Sequence, residues 1–287
     1  MFRTDLLAGK RILVTGGGTG LGRSMARRFL GLGASVAICG RRADVLRRTA
    51  DELGAETGGP IGTHPCDLRD PAAVDDLADT LFAGGGLDIL INNAAGNFAA
   101  PTESLSYRAL DAVLAPTLHG AAYITLACGR RWLAAEKQAQ VLSILTTYAF
   151  TGSAYVVPSA MAKGALLAMT RSLAVEWGGR GVRFNAIAPG PFPTEGAWER
   201  LVPKLEGGPD LARMFETQNP LGRAGKHDEL ANLAAFMLAD EMAYLNGEVV
   251  TLDGGEWLKG AGQFNFLSCL SADDWRRARE AAKKDAD

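Results

Sequence analysis

Short apolar runs alternate along the chain with longer segments in which apolar residues recur every three or four positions. The short runs predict buried β-strands and the longer segments predict α-helices. Predicted strands cover Lys10–Thr15, Ser35–Cys39, Gly62–Cys66, Leu87–Ile91, Gln140–Leu145, Val182–Ala186 and Glu248–Leu252. Predicted helices cover Leu21–Leu32, Ala43–Leu53, Pro71–Phe82, Tyr107–Ala135, Ser159–Trp177 and Asp228–Leu238. This alternation predicts an α/β fold with a single doubly wound parallel sheet and helices on both faces.

No repeat or linker interrupts the alternation, so we predict one domain over residues 1–255. Within it, the Pro/Gly-rich stretch at about 191–225 is long and irregular, as lids over active sites often are. Residues 256–287 are expected to form a C-terminal tail that packs on the same domain and ends in a charged helix.

Composition excludes several classes of partner. The chain has 287 residues, 47% of them hydrophobic, and a net charge of −2, which favours neither nucleic acid nor a membrane surface. No uninterrupted apolar run reaches about 18 residues, so no membrane span is expected. The cysteines and histidines lack the spacing of disulfides or metal sites. Because no targeting signal is recognisable, we expect a cytoplasmic protein.

The first predicted strand leads directly into a glycine-rich turn. Gly16, Gly20 and Gly22 form a G-x-x-x-G-x-G pattern between a strand and a helix. Glycines allow a tight turn and close approach to a pyrophosphate, which the N–H groups of the helix then bind. The pattern predicts a Rossmann-type fold that binds a nicotinamide dinucleotide through the turn residues Gly16, Gly17, Gly18, Thr19, Gly20 and Leu21.

The residues after the second strand indicate which dinucleotide is bound. An acidic residue there would accept hydrogen bonds from the ribose of NADH, whereas this chain has Arg41 and Arg42. A basic pair suits the 2′-phosphate of NADPH. We therefore predict NADPH as the cofactor.

Other polar segments are expected at the carboxyl ends of the strands, where α/β sheets bind ligands. Asp67 ends the third strand and would contact the adenine or cap the next loop. The remaining candidates for cofactor contact are Asn93, Lys163, Pro189, Gly190, Pro191 and Phe192.

Four motifs together resemble the short-chain dehydrogenase/reductase family: TGGGTGLG, NNAAG, PGP and a helical lysine, Lys163. Most of that family has a tyrosine four residues before the lysine, where this chain has Ser159. The segments GNFAAPTESLS, SILTTYAFTGSAYVVPSAMAKG and NGEVVTLDGGE resemble the family's 2,4-dienoyl-CoA reductase branch. In that branch the working tyrosine comes from the loop after a strand, as Tyr148 does here.

The resemblance implies roles by position. Tyr148 and Asn97 would bind the thioester oxygen, Lys163 would hold the nicotinamide ribose, and Ser159 and Thr146 would line the same pocket. Four residues match positions that contact the acyl-CoA: Arg69, Phe98, Ser106 and Arg200. The implied activity is NADPH-dependent reduction of 2,4-dienoyl-CoA to 3-enoyl-CoA in the oxidation of unsaturated fatty acids. The implied assembly is a homotetramer.

Two other functions stay open. An NADPH-dependent ketoreductase would act on 3-oxoacyl or other carbonyl substrates. Ser159 counts against it, and so does Thr117, where the wider family usually has Asn. Tyr155 is a second tyrosine near the site, without a matching role in the relatives. A non-catalytic NADPH-binding protein is the third reading, and the retained set Asn97, Tyr148 and Lys163 counts against it.

Overall fold

The computed structural model describes residues 3–194, 201–202 and 208–284. Its strands are β1 Arg11–Thr15, β2 Ser35–Gly40, β3 Ile61–Pro65, β4 Ile89–Asn92, β5 Ala139–Ile144, β6 Val182–Pro189 and β7 Val249–Leu252. They form one parallel sheet in the order β3-β2-β1-β4-β5-β6-β7. The strand order reverses between β1 and β4, which opens the crevice where such sheets bind ligands.

Helices cover both faces of the sheet, which confirms the predicted doubly wound fold. They are α1 Gly20–Leu30, α2 Ala43–Thr57, α3 Pro71–Ala83, α4 Tyr107–Leu114, α5 Gly120–Ala134, α6 Tyr148–Thr151, α7 Val157–Gly178, α8 Leu211–Thr217, α9 His227–Leu238, α10 Glu256–Ala261 and α11 Ala272–Lys284. Helices α1, α2 and α9 cover one face, and α3, α5 and α7 cover the other.

Alternating side chains of the central strands fill two large cores, one on each face of the sheet. In β1, Ile12 and Val14 join the core under α1 and α9, whereas Leu13 joins the core under α3 and α5. Successive side chains of a strand point to opposite faces, so a strand with helices on both sides is apolar throughout. This is why the strands appear in the sequence as continuous apolar runs.

The predicted helix over Tyr107–Ala135 contains a π-turn. Helix α4 passes through a π-helical segment at Ala115–His119 into α5. Pro116 lies in that segment and lacks a backbone N–H, so the regular helical hydrogen bonds cannot continue through it. Turns of this kind are frequent at functional sites.

The same continuous helix, Tyr107–Ala134, is long and apolar enough to cross a membrane by length and composition. The sequence did not indicate this property, because small and polar residues interrupt the apolar ones along the helix. Half of its most apolar window is buried inside the protein. Core helices meet the same criteria of length and composition.

The segment after β7 folds back over the carboxyl edge of the sheet. Asp253 accepts hydrogen bonds from the backbone N–H groups of Gly255 and Trp257, both at 2.9 Å, and so starts helix α10. The Trp257 ring lies 5.4 Å from the ring of Phe150 in α6. Lys259 donates to the carbonyl of Gln218, just after α8, at 2.9 Å. Helix α10 therefore becomes part of the wall around the crevice.

Candidate active site

Tyr148 follows β5, which ends at Ile144, and is the first residue of the short helix α6. The hydroxyl of Thr146 accepts the backbone N–H of Tyr148 at 3.2 Å. Gly152 ends the helix with φ of 72° and donates its N–H to the Tyr148 carbonyl at 2.9 Å. The turn fixes the tyrosine backbone at the carboxyl edge of the sheet. Thr146, predicted to line the pocket, supports this turn.

The Tyr148 hydroxyl lies between two other predicted residues. Asn97 Nδ2 donates to it at 3.1 Å, and Ser159 Oγ is also 3.1 Å away. Asn97 Oδ1 accepts the backbone N–H of Phe98 at 2.9 Å, which fixes the orientation of the amide. The structure thus brings Tyr148, Asn97 and Ser159 into one cluster. Phe98 supports that cluster through its backbone.

Thr117 holds the loop that carries Asn97. Its side chain is fully buried, and its hydroxyl accepts the Gly96 N–H at 3.1 Å and faces the Gly96 carbonyl at 3.4 Å. Thr117 lies in the π-turn, which aims it at the end of β4. The sequence drew attention to Thr117 only as a departure from the usual Asn; its contact with Gly96 depends on the tertiary structure.

Lys163 lies one helical turn after Ser159 on α7 and is buried. Its Nζ donates to the carbonyl of Ile144 in β5 at 2.5 Å. Burial lowers the pKa of Lys163 to about 8, because removal from water disfavours the ammonium form. The side chain is therefore held at the carboxyl edge of the sheet, with a charge that is lost in mildly alkaline solution.

The glycine-rich turn has the shape and the free donors that a pyrophosphate needs. A Cβ on Gly17 would lie 2.5 Å from Ile38 Cγ2, and one on Gly22 would lie 2.4 Å from the carbonyl of Gly16. Thr19 is the N-cap of α1 and makes no side-chain capping bond. The first N–H groups of α1 consequently remain available for an anion. The residues present fit a dinucleotide, with Gly18 and Leu21 on either side of this cap.

Asn93 joins the turn to the end of β4. Its Nδ2 donates to the carbonyl of Thr15 at 2.9 Å. The Thr15 hydroxyl in turn accepts the N–H groups of Asn93 and Ala94 at 2.9 and 3.0 Å. These bonds fix the width of the crevice between β1 and β4.

Arg41 and Arg42 follow β2 and are exposed. Among the described residues, neither of them forms an ion pair. Arg69 differs, because its guanidinium makes a bidentate ion pair with Asp67, with N–O distances of 2.5–3.0 Å. Hydrogen bonding to Arg69 holds the pKa of Asp67 below its usual value. The ion pair engages Nε and Nη2 of the guanidinium.

The segment after β6 packs against both the turn and the tail. The side chain of Thr194 contacts Gly20, where a Cβ would lie 3.2 Å from Thr194 Cγ2. Gly190 packs on Asp253, and the Pro191 carbonyl accepts the N–H of Gly225 at 2.9 Å. Pro189 ends β6 and Phe192 is buried in the core.

A cavity of about 1130 Å³ opens beside the Tyr148 cluster. Its walls are mostly apolar and include Ala100, Val156, Leu211, Phe215 and Trp257. Tyr155 lines it with a φ of 64°, unusual for a bulky residue, and its carbonyl accepts the Ala100 N–H at 2.9 Å. This bond joins two walls of the cavity.

One carboxyl group lines the cavity among the described residues, and the sequence did not indicate it. Glu256 accepts a short hydrogen bond from Gln218. A Cβ on Gly190 would lie 2.9 Å from Glu256 Oε2, so the carboxyl faces the segment after β6. Burial and the nearby Asp253 carboxylate raise the pKa of Glu256 to about 7. Only the tertiary contact with Gly190 and Gln218 distinguishes it from an ordinary first-turn glutamate.

The walls of the cavity do not include the described predicted substrate contacts Arg69, Phe98 and Ser106. Ser106 is exposed and caps α4, since its hydroxyl accepts the Ala109 N–H at 3.1 Å. Arg200 lies outside the described residues. The predicted lid therefore contributes α8 and the residues 201–202 to the described cavity.

Comparisons with known proteins identify the family of the chain. A family model described as enoyl-(acyl carrier protein) reductase matches residues 16–256. An uncharacterized oxidoreductase of Caenorhabditis elegans is 49% identical and covers 87% of this chain and 80% of its own length. A probable (3E)-enoyl-CoA-producing 2,4-dienoyl-CoA reductase of the same organism is 43% identical, covering 96% and 90%.

A probable (2E)-enoyl-CoA-producing 2,4-dienoyl-CoA reductase of Bacillus subtilis is 42% identical over 87% of this chain and 97% of its own. Among solved structures, a protein of Agrobacterium tumefaciens described as a 2-deoxy-D-gluconate 3-dehydrogenase with bound NADP is 31% identical. It has a TM-score of 0.79 and covers 90% of this chain and 99% of its own. The chain therefore belongs to the short-chain dehydrogenase/reductase family of nicotinamide-dependent oxidoreductases, and its relatives include proteins named 2,4-dienoyl-CoA reductase.

Proposed function

We propose that the protein reduces 2,4-dienoyl-CoA thioesters to 3-enoyl-CoA with NADPH. The observation that carries the proposal is the cluster of Tyr148, Asn97 and Ser159 beside a mostly apolar cavity. It presents a hydroxyl and an amide donor where the usual family tyrosine, at the position of Ser159, is absent. The names of several relatives support the same substrate class.

NADPH, when bound, supplies the hydride that reduces the far end of the conjugated system. The chain must then stabilise the negative charge that collects on the thioester oxygen. Tyr148 Oη and Asn97 Nδ2 are the two donors that would hold this oxygen. Because the protein fixes them before the reaction, they need no reorganisation, and one such donor typically contributes about 3–4 kcal/mol.

Ser159 and Lys163 support this arrangement from α7. Ser159 Oγ lies within hydrogen-bond distance of the Tyr148 hydroxyl and would orient it. Lys163, charged below about pH 8, would hold the nicotinamide ribose and favour negative charge on the neighbouring groups. The apolar walls of the cavity would exclude water from the acyl chain.

The preference for NADPH rests on Arg41 and Arg42. Both are exposed and lie after β2, beside the turn that would bind the pyrophosphate. Replacing Arg41 with Ala should weaken NADPH binding about tenfold and leave NADH binding nearly unchanged, because hydrogen bonds to charged groups contribute about 1.5–3 kcal/mol. Equal effects on both cofactors would contradict the assignment.

Product analysis tests the proposed reaction, since the relatives named above include producers of (3E)- and of (2E)-enoyl-CoA. Reduction of a short 2,4-dienoyl-CoA in deuterated water, followed by proton NMR, should show a 3-enoyl product with deuterium at the α carbon. A 2-enoyl product would refute the proposed regiochemistry. No turnover of the dienoyl-CoA, with reduction of a 3-oxoacyl-CoA, would make the protein a ketoreductase.

We also propose that the protein assembles as a homotetramer through α5 and α7. These helices expose apolar side chains that a monomer leaves in water, including Leu126, Met161 and Val175. Light scattering after size-exclusion chromatography should give four times the chain mass. A monomeric mass would refute the assembly and leave the proposed reaction untouched.

A further inference from the structure

The imidazole of His227 connects three parts of the cofactor side of the molecule. His227 is the first residue of α9. Its Nε2 lies 2.6 Å from the carbonyl oxygen of Pro193, in the segment after β6. Its Nδ1 lies 2.9 Å from the hydroxyl of Ser24, in the first turns of α1. The ring therefore ties α9 to α1 and to the loop beside the crevice.

The Pro193 contact matters because of the next residue. The side chain of Thr194 lies against Gly20, the first residue of α1, where the free N–H groups would receive a pyrophosphate. The segment Pro189–Thr194 thus closes on the glycine-rich turn at its anion-binding end. By holding Pro193, His227 sets how closely Thr194 approaches that end.

A count of protons shows which form of the ring satisfies every contact. A carbonyl oxygen only accepts, so Nε2 must donate to Pro193. The Ser24 hydroxyl has one proton, and it lies within 3.1 Å of the Gly20 carbonyl as well as near Nδ1. A neutral ring must take the Ser24 proton, and the bond to Gly20 is then lost. Imidazolium donates from both nitrogens, which frees Ser24 to donate to Gly20.

We propose that His227 is a positioning residue that holds the segment Pro189–Thr194 over the cofactor pyrophosphate, and that its protonation tightens cofactor binding. Protonation completes the hydrogen bonds from Pro193 to Gly20 and adds positive charge near an anion site. The proposal depends on dinucleotide binding and not on the acyl substrate. Its failure would therefore leave the proposed reaction standing.

Several charged groups around His227 form ion pairs, and Lys226 is the residue directly before it. On α1, Arg27 bonds Asp228 of α9 at 2.5 Å and Glu56 of α2 at 3.3 Å. The further pairs are Arg23 with Glu52 and Arg223 with Glu229. The segment Pro189–Thr194 has no titratable side chain. His227 is the imidazole of this cluster, so a pH-dependent change in affinity that disappears in His227→Gln is assigned to its ring.

Calorimetric titration with NADP⁺ at about pH 6 and about pH 8 tests the proposal, because the two values bracket histidine titration. His227→Gln retains a donor toward Pro193 but cannot titrate. His227→Ala removes the donor altogether. Asp228→Asn is the matched control on the same turn of α9, since it breaks an ion pair without touching the segment after β6. Thermal unfolding of each variant confirms that it is folded.

At the lower pH, the Kd of the wild-type protein for NADP⁺ should be about fivefold to tenfold lower than that of His227→Gln. Coupling free energies between sites are commonly of this size. The two should agree within about twofold at the higher pH. His227→Ala should bind more weakly at both values, and Asp228→Asn should behave like the wild type. The 2′-phosphate of the ligand also titrates, but that contribution is common to all variants. Equal pH dependence in wild type and His227→Gln would overturn the proposal.

Discussion

Removing the Tyr148 hydroxyl tests how the site stabilises negative charge. In Tyr148→Phe, the thioester oxygen keeps Asn97 Nδ2 and loses its other donor. The Phe98 N–H still fixes the Asn97 amide, so the remaining donor stays oriented. Loss of one preorganised donor should cost about 3–4 kcal/mol, which lowers kcat about 100-fold to 1000-fold.

The fold should survive this change. The hydroxyl makes two neutral hydrogen bonds, to Asn97 and Ser159, and each contributes a net of about 1 kcal/mol. The aromatic ring remains in place. Thermal unfolding should therefore show a small decrease in stability, and the Kd for NADPH should change by less than about twofold, since the hydroxyl makes no contact with the glycine-rich turn.

Tyr155→Phe is the matched control. Tyr155 lines the same cavity, but the residue is 63% exposed and its hydroxyl has no hydrogen-bond partner among the described residues. The assay follows consumption of NADPH with a short 2,4-dienoyl-CoA at saturating cofactor. Tyr155→Phe should retain nearly full kcat. The reasoning is refuted if Tyr148→Phe keeps more than about a third of wild-type kcat, or if Tyr155→Phe loses as much activity.

Three further changes test other parts of the site. The kcat/KM should fall as pH rises through about 8, because Lys163 then loses its charge; a flat profile to about pH 9.5 would contradict the assignment. Glu256→Gln should raise stability by about 1–2 kcal/mol at about pH 8 and by nothing near pH 4, after allowance for the half-exposed carboxyl. The sign follows because a pKa raised from 4.5 to about 7 makes the Glu256 charge destabilising once it forms; chemical denaturation at both pH values measures it. Thr117→Val keeps the side-chain shape but removes the hydroxyl that binds the Gly96 N–H, so kcat should drop about tenfold with NADPH affinity unchanged. An unaltered kcat would show that the loop carrying Asn97 does not need this hydrogen bond.

The fold and the centre of the site follow from local patterns. Apolar runs placed the strands, and a parallel doubly wound sheet brings the carboxyl ends of its strands to one edge. Asn97 follows β4 and Tyr148 follows β5, and these strands are neighbours. Their approach could therefore be expected from topology. The helical spacing of Ser159 and Lys163 placed both on one face of α7.

The remaining features depend on contacts that no local pattern encodes. Arg69 lies two residues from Asp67, and the turn between them allows a two-pronged ion pair where separate ligand contacts were expected. Glu256 becomes a cavity residue because the chain after β7 folds back onto Gly190. His227 reaches Ser24 across 203 positions of sequence. Such pairings result from tertiary packing and cannot be predicted from the periodicity of apolar residues.

The most direct test of the central claim compares three thioesters in one NADPH-consumption assay: a short 2,4-dienoyl-CoA, the matching 3-oxoacyl-CoA and the matching 2-enoyl-CoA. In the proposed site, a hydroxyl and an amide hold a thioester oxygen that is remote from the reduced carbon. The kcat/KM for the dienoyl-CoA should therefore be at least about 100-fold higher than for the other two thioesters. A kcat/KM for the 3-oxoacyl-CoA equal to or above that for the dienoyl-CoA would contradict the account.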